Sequence, residues 1–249
     1  MISNIPFFDY ASLYPAHKDE YSEAIENVLS RGAFIMQSEL FEFEDKLSNY
    51  LDVKHAIGVA DGTTALLLSL RASEIQAYDE VIVPSHTFAA CASTITQIGA
   101  VPILCDCCED HLIDPESVEK LIDGKTKAIM PVHLNGRTAN MDKILALARK
   151  NNLLIIEDAC QALGSSFKNT FAGKFGLAGA FSFYPSKTLG CFGDGGAIIT
   201  NDDECARTIK LFRDHGRNEE GNVEVWGNNA RLDNLQAAVL LVRLKYYDQ

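Results

Sequence analysis

Apolar and polar positions follow a block pattern along the chain. Short runs that are apolar throughout are each followed by a stretch with apolar residues at helical spacing. The strand-like runs are "HAIGVA", "EVIVP", "VPILCD", "AIMPVH" and "LLIIED", and the helical stretches between them cover 63–73, 88–98, 115–122 and 141–151. Because strands without polar alternation are buried on both faces, the pattern predicts an α/β fold: a mostly parallel central sheet flanked by helices.

Helical patterns also precede and follow this block. In "SELFEFEDKLSNYL", Ser38 is a candidate N-cap. The apolar face of that helix is Leu40, Phe43, Leu47 and Leu51. The last segment has a similar face at Leu232, Leu235, Val239 and Val242. Short strands are expected at "AFSFY" and "GAIIT", in a region rich in Gly, Ser and Phe. No composition break marks a linker, so we expect one large domain over 1–249 with an N-terminal helical segment.

The charge balance narrows the possible partners. With 22 Lys and Arg against 34 Asp and Glu, the net charge is −12, which argues against a nucleic-acid surface because phosphate contacts need clustered cations. A small anionic substrate stays possible. No metal site is expected, because the C-x-C-C cluster at 105–108 lacks a second ligand pair at zinc spacing.

The cysteines and the uncharged segments predict a cytoplasmic protein that does not enter a membrane. The seven cysteines are odd in number and mostly lie in apolar stretches, as free thiols of a reducing compartment do. The start of the chain lacks a basic region and an apolar region, so it is not a secretory signal. The uncharged run Val81 to Cys105 contains Pro84, Gly99 and Pro102, and we interpret it as strand, helix and strand rather than a membrane span.

Two separate stretches carry candidate ligand-binding chemistry. In "ADGTTALLLSL", a strand leads through Asp61, Gly62, Thr63 and Thr64 into a helix, whose free N–H groups suit a phosphate, although the same residues are ordinary helix caps. In "LLIIEDACQALGS", Glu157 and Asp158 follow an apolar strand. An acid there is placed to meet a cationic group at the carboxyl edge of the sheet, or it caps a helix.

The third stretch, "FSFYPSKTLGCFGDGG", places Lys187 among aromatic residues and glycines. A Walker loop would need glycine at 181 and 186, where Phe181 and Ser186 stand, so a nucleoside-triphosphate site is excluded. The glycines do not match the dinucleotide fingerprint either. The residues alone leave two interpretations of Lys187 open. It could be a nucleophilic amine kept partly out of water, or a surface lysine that extends into solvent.

Taken together, six stretches resemble the DegT/DnrJ/EryC1 family of pyridoxal-phosphate (PLP)-dependent nucleotide-sugar aminotransferases. They are "DGTTAL", "VPSHTFAA", "PVHLNGRTANMD", "IEDACQALGS", "FSFYPSKTLGCFGDGGAIITND" and "NNARLDNLQAAVL", in the family's order from about residue 30 onward. The resemblance implies the large PLP-binding domain of the aspartate-aminotransferase fold. It also implies a homodimer with active sites at the subunit interface.

The resemblance assigns a role to each matching position. Lys187 is the lysine that bonds to the cofactor aldehyde and later moves protons, and Asp158 pairs with the pyridine nitrogen. Gln161, one turn further on an expected helix, would hydrogen-bond the ring hydroxyl, and Phe88 would stack on the ring. Four positions would hold the phosphate, and a fifth would reach it from the partner subunit. The four are Gly62, Thr63, Thr64 and Ser182, and the fifth is Asn229.

The implied reaction moves an amino group from an amino-acid donor, usually glutamate, to a keto group of a nucleotide-diphosphate sugar. Related PLP-dependent sugar dehydratases carry histidine at the lysine position, so Lys187 argues against that activity. A non-catalytic regulatory member is a further alternative. "FIMQSELFEFE" departs from the Gly and Pro that relatives more often carry there. Family members also continue into a smaller C-terminal domain, so we expect these 249 residues to be a fragment or truncated form.

Overall fold

A computed structural model of the chain describes residues 5–248. Its α-helices are α1 (Lys18–Arg31), α2 (Ser38–Leu51), α3 (Gly62–Ala72), α4 (Ala90–Gln97), α5 (Pro115–Leu121), α6 (Met141–Asn151), α7 (Asp203–Arg213) and α8 (Asn234–Leu244). Its strands are β1 (His55–Val59), β2 (Glu80–Pro84), β3 (Val101–Cys105), β4 (Thr126–Ile129), β5 (Leu154–Asp158), β6 (Ser166–Phe167), β7 (Thr170–Phe171), β8 (Ala178–Ser182) and β9 (Gly196–Thr200).

The central sheet is mostly parallel, as the apolar runs predict. Its seven strands have the order β1-β9-β8-β5-β4-β2-β3. Only β9 runs against its neighbours, pairing antiparallel with β1 and β8, while the pairs from β8 to β3 are parallel. The carboxyl ends of β1, β5 and β8 therefore meet at one edge of the sheet, where α/β folds place their ligands.

Helices cover both faces of this sheet. The predicted face of α2 is fully buried at Leu40, Phe43, Leu47 and Leu51. It packs with α8 and with the aromatic residues in and just after β8. The rings of Phe43 and Phe183, the residue that follows β8, meet edge to face with their centroids 5.3 Å apart. The other core lies between the sheet and α3, α4 and α6. This packing fixes the strand ends that carry the candidate site.

Five details of the predicted elements are wrong. Gln37, not Ser38, is the N-cap of α2, and Ser38 is its first helical residue. The strands expected at "AIMPVH" and "AFSFY" end earlier, at Ile129 and Ser182. The expected helix carrying Gln161 is a series of turns, because Asp158 caps the N–H of Cys160 with a local hydrogen bond instead.

The fifth detail concerns β3, whose apolar sequence predicted burial on both faces. Val101 and Leu104 are exposed because β3 lies at the edge of the sheet, paired only with β2. The uncharged run from Val81 to Cys105 forms strand, helix and strand, as expected. Over residues 5–248, none of the helices combines the length and the apolar character needed to cross a membrane.

Candidate active site

The start of α3 lies directly against the ends of β5 and β8. A methyl group added at Gly62 would come within 2.7 Å of Cβ of Ser182 and 2.9 Å of Sγ of Cys160. Cys160 in turn donates its N–H to Oδ1 of Asp158 at 3.0 Å. Three stretches that are far apart in the sequence therefore meet around one point, and only glycine at 62 permits this approach.

The start of α3 offers donors for an anion. Asp61 is its N-cap and accepts both the N–H of Thr64, at 2.7 Å, and the Thr64 hydroxyl, at 2.9 Å. Within residues 5–248, the N–H groups of Gly62 and Thr63 have no hydrogen-bond acceptor. The helix dipole and these two N–H groups suit a phosphate. Both interpretations of "DGTT" therefore apply: Asp61 and Thr64 form the cap, and Gly62 and Thr63 keep free donors.

Asp158 is a buried carboxylate at the end of β5. Its exposed fraction is 6%. Besides the N–H of Cys160, it faces the thiol of Cys91, whose Sγ lies 2.9 Å from its Oδ2. Each carboxylate oxygen thus has one protein donor and an unused lone pair. A buried carboxylate with acceptor capacity to spare is suited to a cationic N–H group of a ligand.

Glu157, the neighbour of Asp158, points to the opposite side of the sheet and has a structural role. Its carboxylate accepts the N–H groups of Gly173, Phe175 and Gly176 at 2.7–2.8 Å. It also lies 2.8 Å from Nε2 of His133. Nδ1 of His133 accepts a hydrogen bond from the N–H of Ala139 at 3.1 Å. The ring hydrogen is therefore on Nε2, which donates a hydrogen bond to the Glu157 carboxylate. Of the two acids in "IED", only Asp158 reaches the site.

Gln161 has a fixed side-chain orientation despite lying in a turn. Its Oε1 accepts the N–H of Asn135 at 2.8 Å. Because the amide oxygen of Gln161 is the acceptor in this bond, its Nε2 group points away from Asn135 and is free to donate to another acceptor. Asn135 has a positive φ of 54°, which aims its N–H at Gln161. The amide can thus offer hydrogens to an anionic or hydroxyl oxygen, as the resemblance implies.

Lys187 lies in the loop between β8 and β9. The loop folds tightly: the N–H of Lys187 donates to Tyr184 O at 2.8 Å, and the N–H of Cys191 donates to Phe183 O at 2.8 Å. Lys187 is partly buried. Burial raises the pKa of the nearby Cys160 thiol, the charge of Asp158 raises it further, and the positive charge of Lys187 lowers it. Lys187 therefore acts on the same cluster as Asp158.

Helix α8 holds the lysine loop from the other side, a feature that the sequence patterns did not reveal. The Gln236 side chain exchanges two hydrogen bonds with the backbone of Phe192, at 2.9 and 3.2 Å. Arg243 donates to Gly190 O at 2.8 Å. These positions are seven residues apart, which places them on one helix face. That spacing was visible in the sequence, but the loop that it contacts was not.

The two remaining predicted residues have exposed side chains, and Phe88 adjoins the cluster through its carbonyl, which accepts the N–H of Cys91 at 3.2 Å. Phe88 precedes α4 and is 69% exposed, so its ring is open to a ligand or to solvent. Asn229 is exposed in the segment after α7, where its backbone pairs with Asp214. Neither residue has a described contact with Asp158 or Lys187. Their roles stay predictions.

The residues present fit pyridoxal phosphate. Gly62, Thr63 and Ser182 would hold the phosphate, and the Ser182 hydroxyl keeps its hydrogen because Oγ only accepts, from Tyr184 N–H at 3.3 Å. Asp158 would meet the ring nitrogen and Gln161 a ring oxygen, while Lys187 supplies an amine. Thr64 is the one assignment that changes: its donors are used by Asp61, so it shapes the helix start rather than donating to the phosphate.

Known structures share this arrangement of the whole chain. The crystal structure of S. venezuelae DesV in complex with a ketimine intermediate superposes with a TM-score of 0.95 at 43% identity, covering 98% of this chain and 66% of that one. The structure of ntda from Bacillus subtilis with bound cofactor PMP gives a TM-score of 0.92 at 34% identity, over 99% of this chain and 57% of that one. The chain thus shares the α/β fold of these PLP-dependent aminotransferases.

Sequence comparison places the chain more narrowly. It belongs to the DegT/DnrJ/EryC1/StrS aminotransferase family, whose model matches residues 15–249. A relative named dTDP-3-amino-3,4,6-trideoxy-alpha-D-glucose transaminase, from Streptomyces venezuelae, is 43% identical over 245 residues. That match covers 98% of this chain and 65% of the relative, so the chain spans about two thirds of that relative's length.

Proposed function

We propose that this protein is a PLP-dependent aminotransferase that moves an amino group from an amino-acid donor, glutamate, to a keto group of a nucleotide-diphosphate sugar. One observation carries the proposal. Cys160 adjoins both the buried carboxylate of Asp158 and the start of α3 with its free N–H groups, and the charge of the partly buried Lys187 acts on the thiol of the same residue. A cationic ring nitrogen, a phosphate and an aldehyde each find a matching group there.

The protein's residues divide the work of binding and orientation. Gly62, Thr63 and Ser182 bind the phosphate through N–H and hydroxyl donors. Asp158 would accept a hydrogen bond from the ring N–H, and its buried negative charge would favour the protonated form of that nitrogen. Pyridoxal phosphate, when bound, supplies an aldehyde that takes up amines and a ring that accepts electrons.

Lys187 moves the proton. As a free amine, its Nζ would take the proton from the α carbon of the amino donor as a general base and deliver it as a general acid to the C4′ position of the cofactor in the same half of the exchange. In the second half the same amine would move a proton in the reverse direction, to the sugar carbon that receives the amino group. The ties between the lysine loop and α8 hold Lys187 within reach of the site.

The first test is the visible absorption band of the bound cofactor. Adding pyridoxal phosphate to the 249-residue chain should produce a band near the edge of the visible range, and the band should be lost in Lys187→Ala. Lys168→Ala is the matched control, since Lys168 is exposed and pairs with Asp142 at the surface. A band that persists in Lys187→Ala would refute the lysine assignment.

The second test is turnover. The chain is incubated with glutamate and a panel of dTDP-, UDP- and GDP-linked 3-keto and 4-keto sugars, and the amino-sugar product is measured. Amine transfer to one class of keto sugar is expected. Cofactor binding without transfer to any of them would favour the alternative of a non-catalytic regulatory member. Loss of a sugar hydroxyl without gain of an amine would favour the dehydratase.

We further propose a cytoplasmic homodimer in which Asn229 of one subunit reaches the phosphate bound by the other. Free cysteines suit a reducing compartment, and Asn229 is exposed beside Trp226, which is 88% exposed. Mixing inactive Lys187→Ala with inactive Asn229→Ala should restore part of the activity, because each mixed dimer then has one intact site. No recovery in a confirmed mixed dimer would refute the shared site.

A further inference from the structure

A row of three side chains leads from α4 to the carboxylate at the centre of the site. The Thr87 hydroxyl lies 3.1 Å from Sγ of Cys91, and that Sγ lies 2.9 Å from Oδ2 of Asp158. Cys91 is fully buried in the first turn of α4. The roles assigned so far to the site leave this thiol without a function.

The direction of the two hydrogen bonds follows from the chemistry of the groups. Burial raises the pKa of the Cys91 thiol well above its usual range, and the charge of Asp158 raises it further. The thiol therefore keeps its hydrogen. A carboxylate can only accept, so Sγ–H donates to Asp158 and Sγ accepts from the Thr87 hydroxyl. The row acts as one chain of donors that ends on Oδ2.

We propose that Cys91 is a positioning residue for Asp158: its thiol fixes the carboxylate and sets how much negative charge Asp158 presents to the cofactor ring. The inference rests on the proposed function. Oδ1 is held by the N–H of Cys160 at 3.0 Å and Oδ2 by Cys91, so the carboxylate cannot rotate without losing both bonds. Because S–H is a weak donor, it orients Asp158 while withdrawing less charge than a hydroxyl would.

Few charged or titratable groups lie near Asp158 and could change the negative charge that it presents to the ring. The titratable groups near it are Cys91 on α4, Cys160 in the following turn and Lys187 in the lysine loop. Glu157 and His133 pair with each other at 2.8 Å on the other side of the strand. Within the described residues, the thiols of Cys91 and Cys160 both interact with the carboxylate. The Cys91 thiol lies 2.9 Å from Oδ2, whereas the Cys160 thiol also points to Ala180 O, at 3.6 Å.

The test compares Cys91→Ser, which keeps a donor, with Cys91→Ala, which differs from it by one hydroxyl. Cys105→Ala is the control because Cys105 is equally buried but lies in β3. Each protein is loaded with pyridoxal phosphate and its visible band is titrated with pH. Loss of the S–H dipole leaves the site more negative, and negative charge favours the protonated form of the bound cofactor. The pH midpoint of the visible band should therefore be higher in Cys91→Ala by about 0.5 pH unit or more.

The remaining variants decide between positioning and packing. The pH midpoint of the visible band in Cys91→Ser should equal that of the unchanged protein or be lower. The midpoint in Cys105→Ala should equal that of the unchanged protein. The inference is overturned if Cys91→Ala titrates like the unchanged protein, or if Cys91→Ser rises as far as Cys91→Ala, which indicates packing alone. Absence of a visible band in the unchanged protein would instead contradict the proposed function.

A second readout needs no cofactor. The S–H infrared stretching band lost in Cys91→Ser should lie at lower frequency than the band lost in Cys105→Ala, since donation to a carboxylate weakens the S–H bond. Two bands at the same frequency would show that Cys91 does not donate to Asp158. This comparison also decides the matter if Cys91→Ala does not fold.

Discussion

The hydroxyl of Tyr247 lies 2.9 Å from Oγ1 of Thr188, the residue that follows Lys187. The same hydroxyl is 2.8 Å from Leu163 O. The Tyr247 hydroxyl is placed to donate to both oxygens, so its one hydrogen is shared between Leu163 O and Thr188 Oγ1. One hydroxyl beyond the end of α8 thereby joins the turns that carry Gln161 to the loop that carries Lys187.

Tyr247→Phe should loosen the lysine loop without disturbing the core, because the ring stays and only the hydroxyl is lost. We expect faster amide hydrogen exchange across 187–192 and a free energy of unfolding lower by about 1 kcal/mol. Exchange is measured by mass spectrometry. Tyr78→Phe is the control, since Tyr78 is 81% exposed. Equal exchange in both variants would show that the Tyr247 hydroxyl does not hold the loop.

Gly62→Ala should weaken cofactor binding more than it weakens the fold. The new methyl group would meet Ser182 and Cys160 at 2.7 and 2.9 Å, forcing the start of α3 away from β8. We expect the dissociation constant for pyridoxal phosphate to rise by at least about tenfold. Titration of the visible band measures it. Gly124→Ala has open space around its methyl group and should bind normally; equal affinities would contradict the cradle.

Glu157→Gln should destabilise the protein, although Glu157 does not face the site. The buried carboxylate accepts three backbone N–H groups and pairs with His133. An amide replaces one acceptor oxygen with a donor that faces other donors. The free energy of unfolding should fall by about 2–4 kcal/mol in a urea titration. Glu119→Gln, at an exposed pair with Lys150, should change it by less than about 0.5 kcal/mol; a similar change in both would refute the structural role.

The thiols should differ strongly in reactivity. Burial raises the pKa of Cys105 and of Cys191 to about 12 and that of Cys205 to about 11, so at pH 8 they carry almost no thiolate, the form that reacts. Cys108 is exposed and should react first with a disulfide reagent in the native protein. Peptide mapping after brief labelling identifies the site. Faster labelling of Cys105 than of Cys108 would contradict the burial.

The sequence by itself determined the layers of this fold. Uniformly apolar runs predicted β2 at Glu80–Pro84 and β9 at Gly196–Thr200, and helical spacing predicted α6 at Met141–Asn151, all with the bounds observed. These features depend on residues close together in the chain, which is why periodicity reveals them. It also predicted that Asp158 ends a strand, since the apolar run stops there.

Only the tertiary structure decided what each site residue can do. Glu157 and Asp158 are adjacent in sequence, yet alternation along β5 sends one to the loop at 173–176 and the other to the site. The local cap at Asp158 replaced the helix expected for Gln161. Contacts between distant segments, such as Cys91 with Asp158 and α8 with the lysine loop, leave no periodic signal, because chain folding alone brings them together.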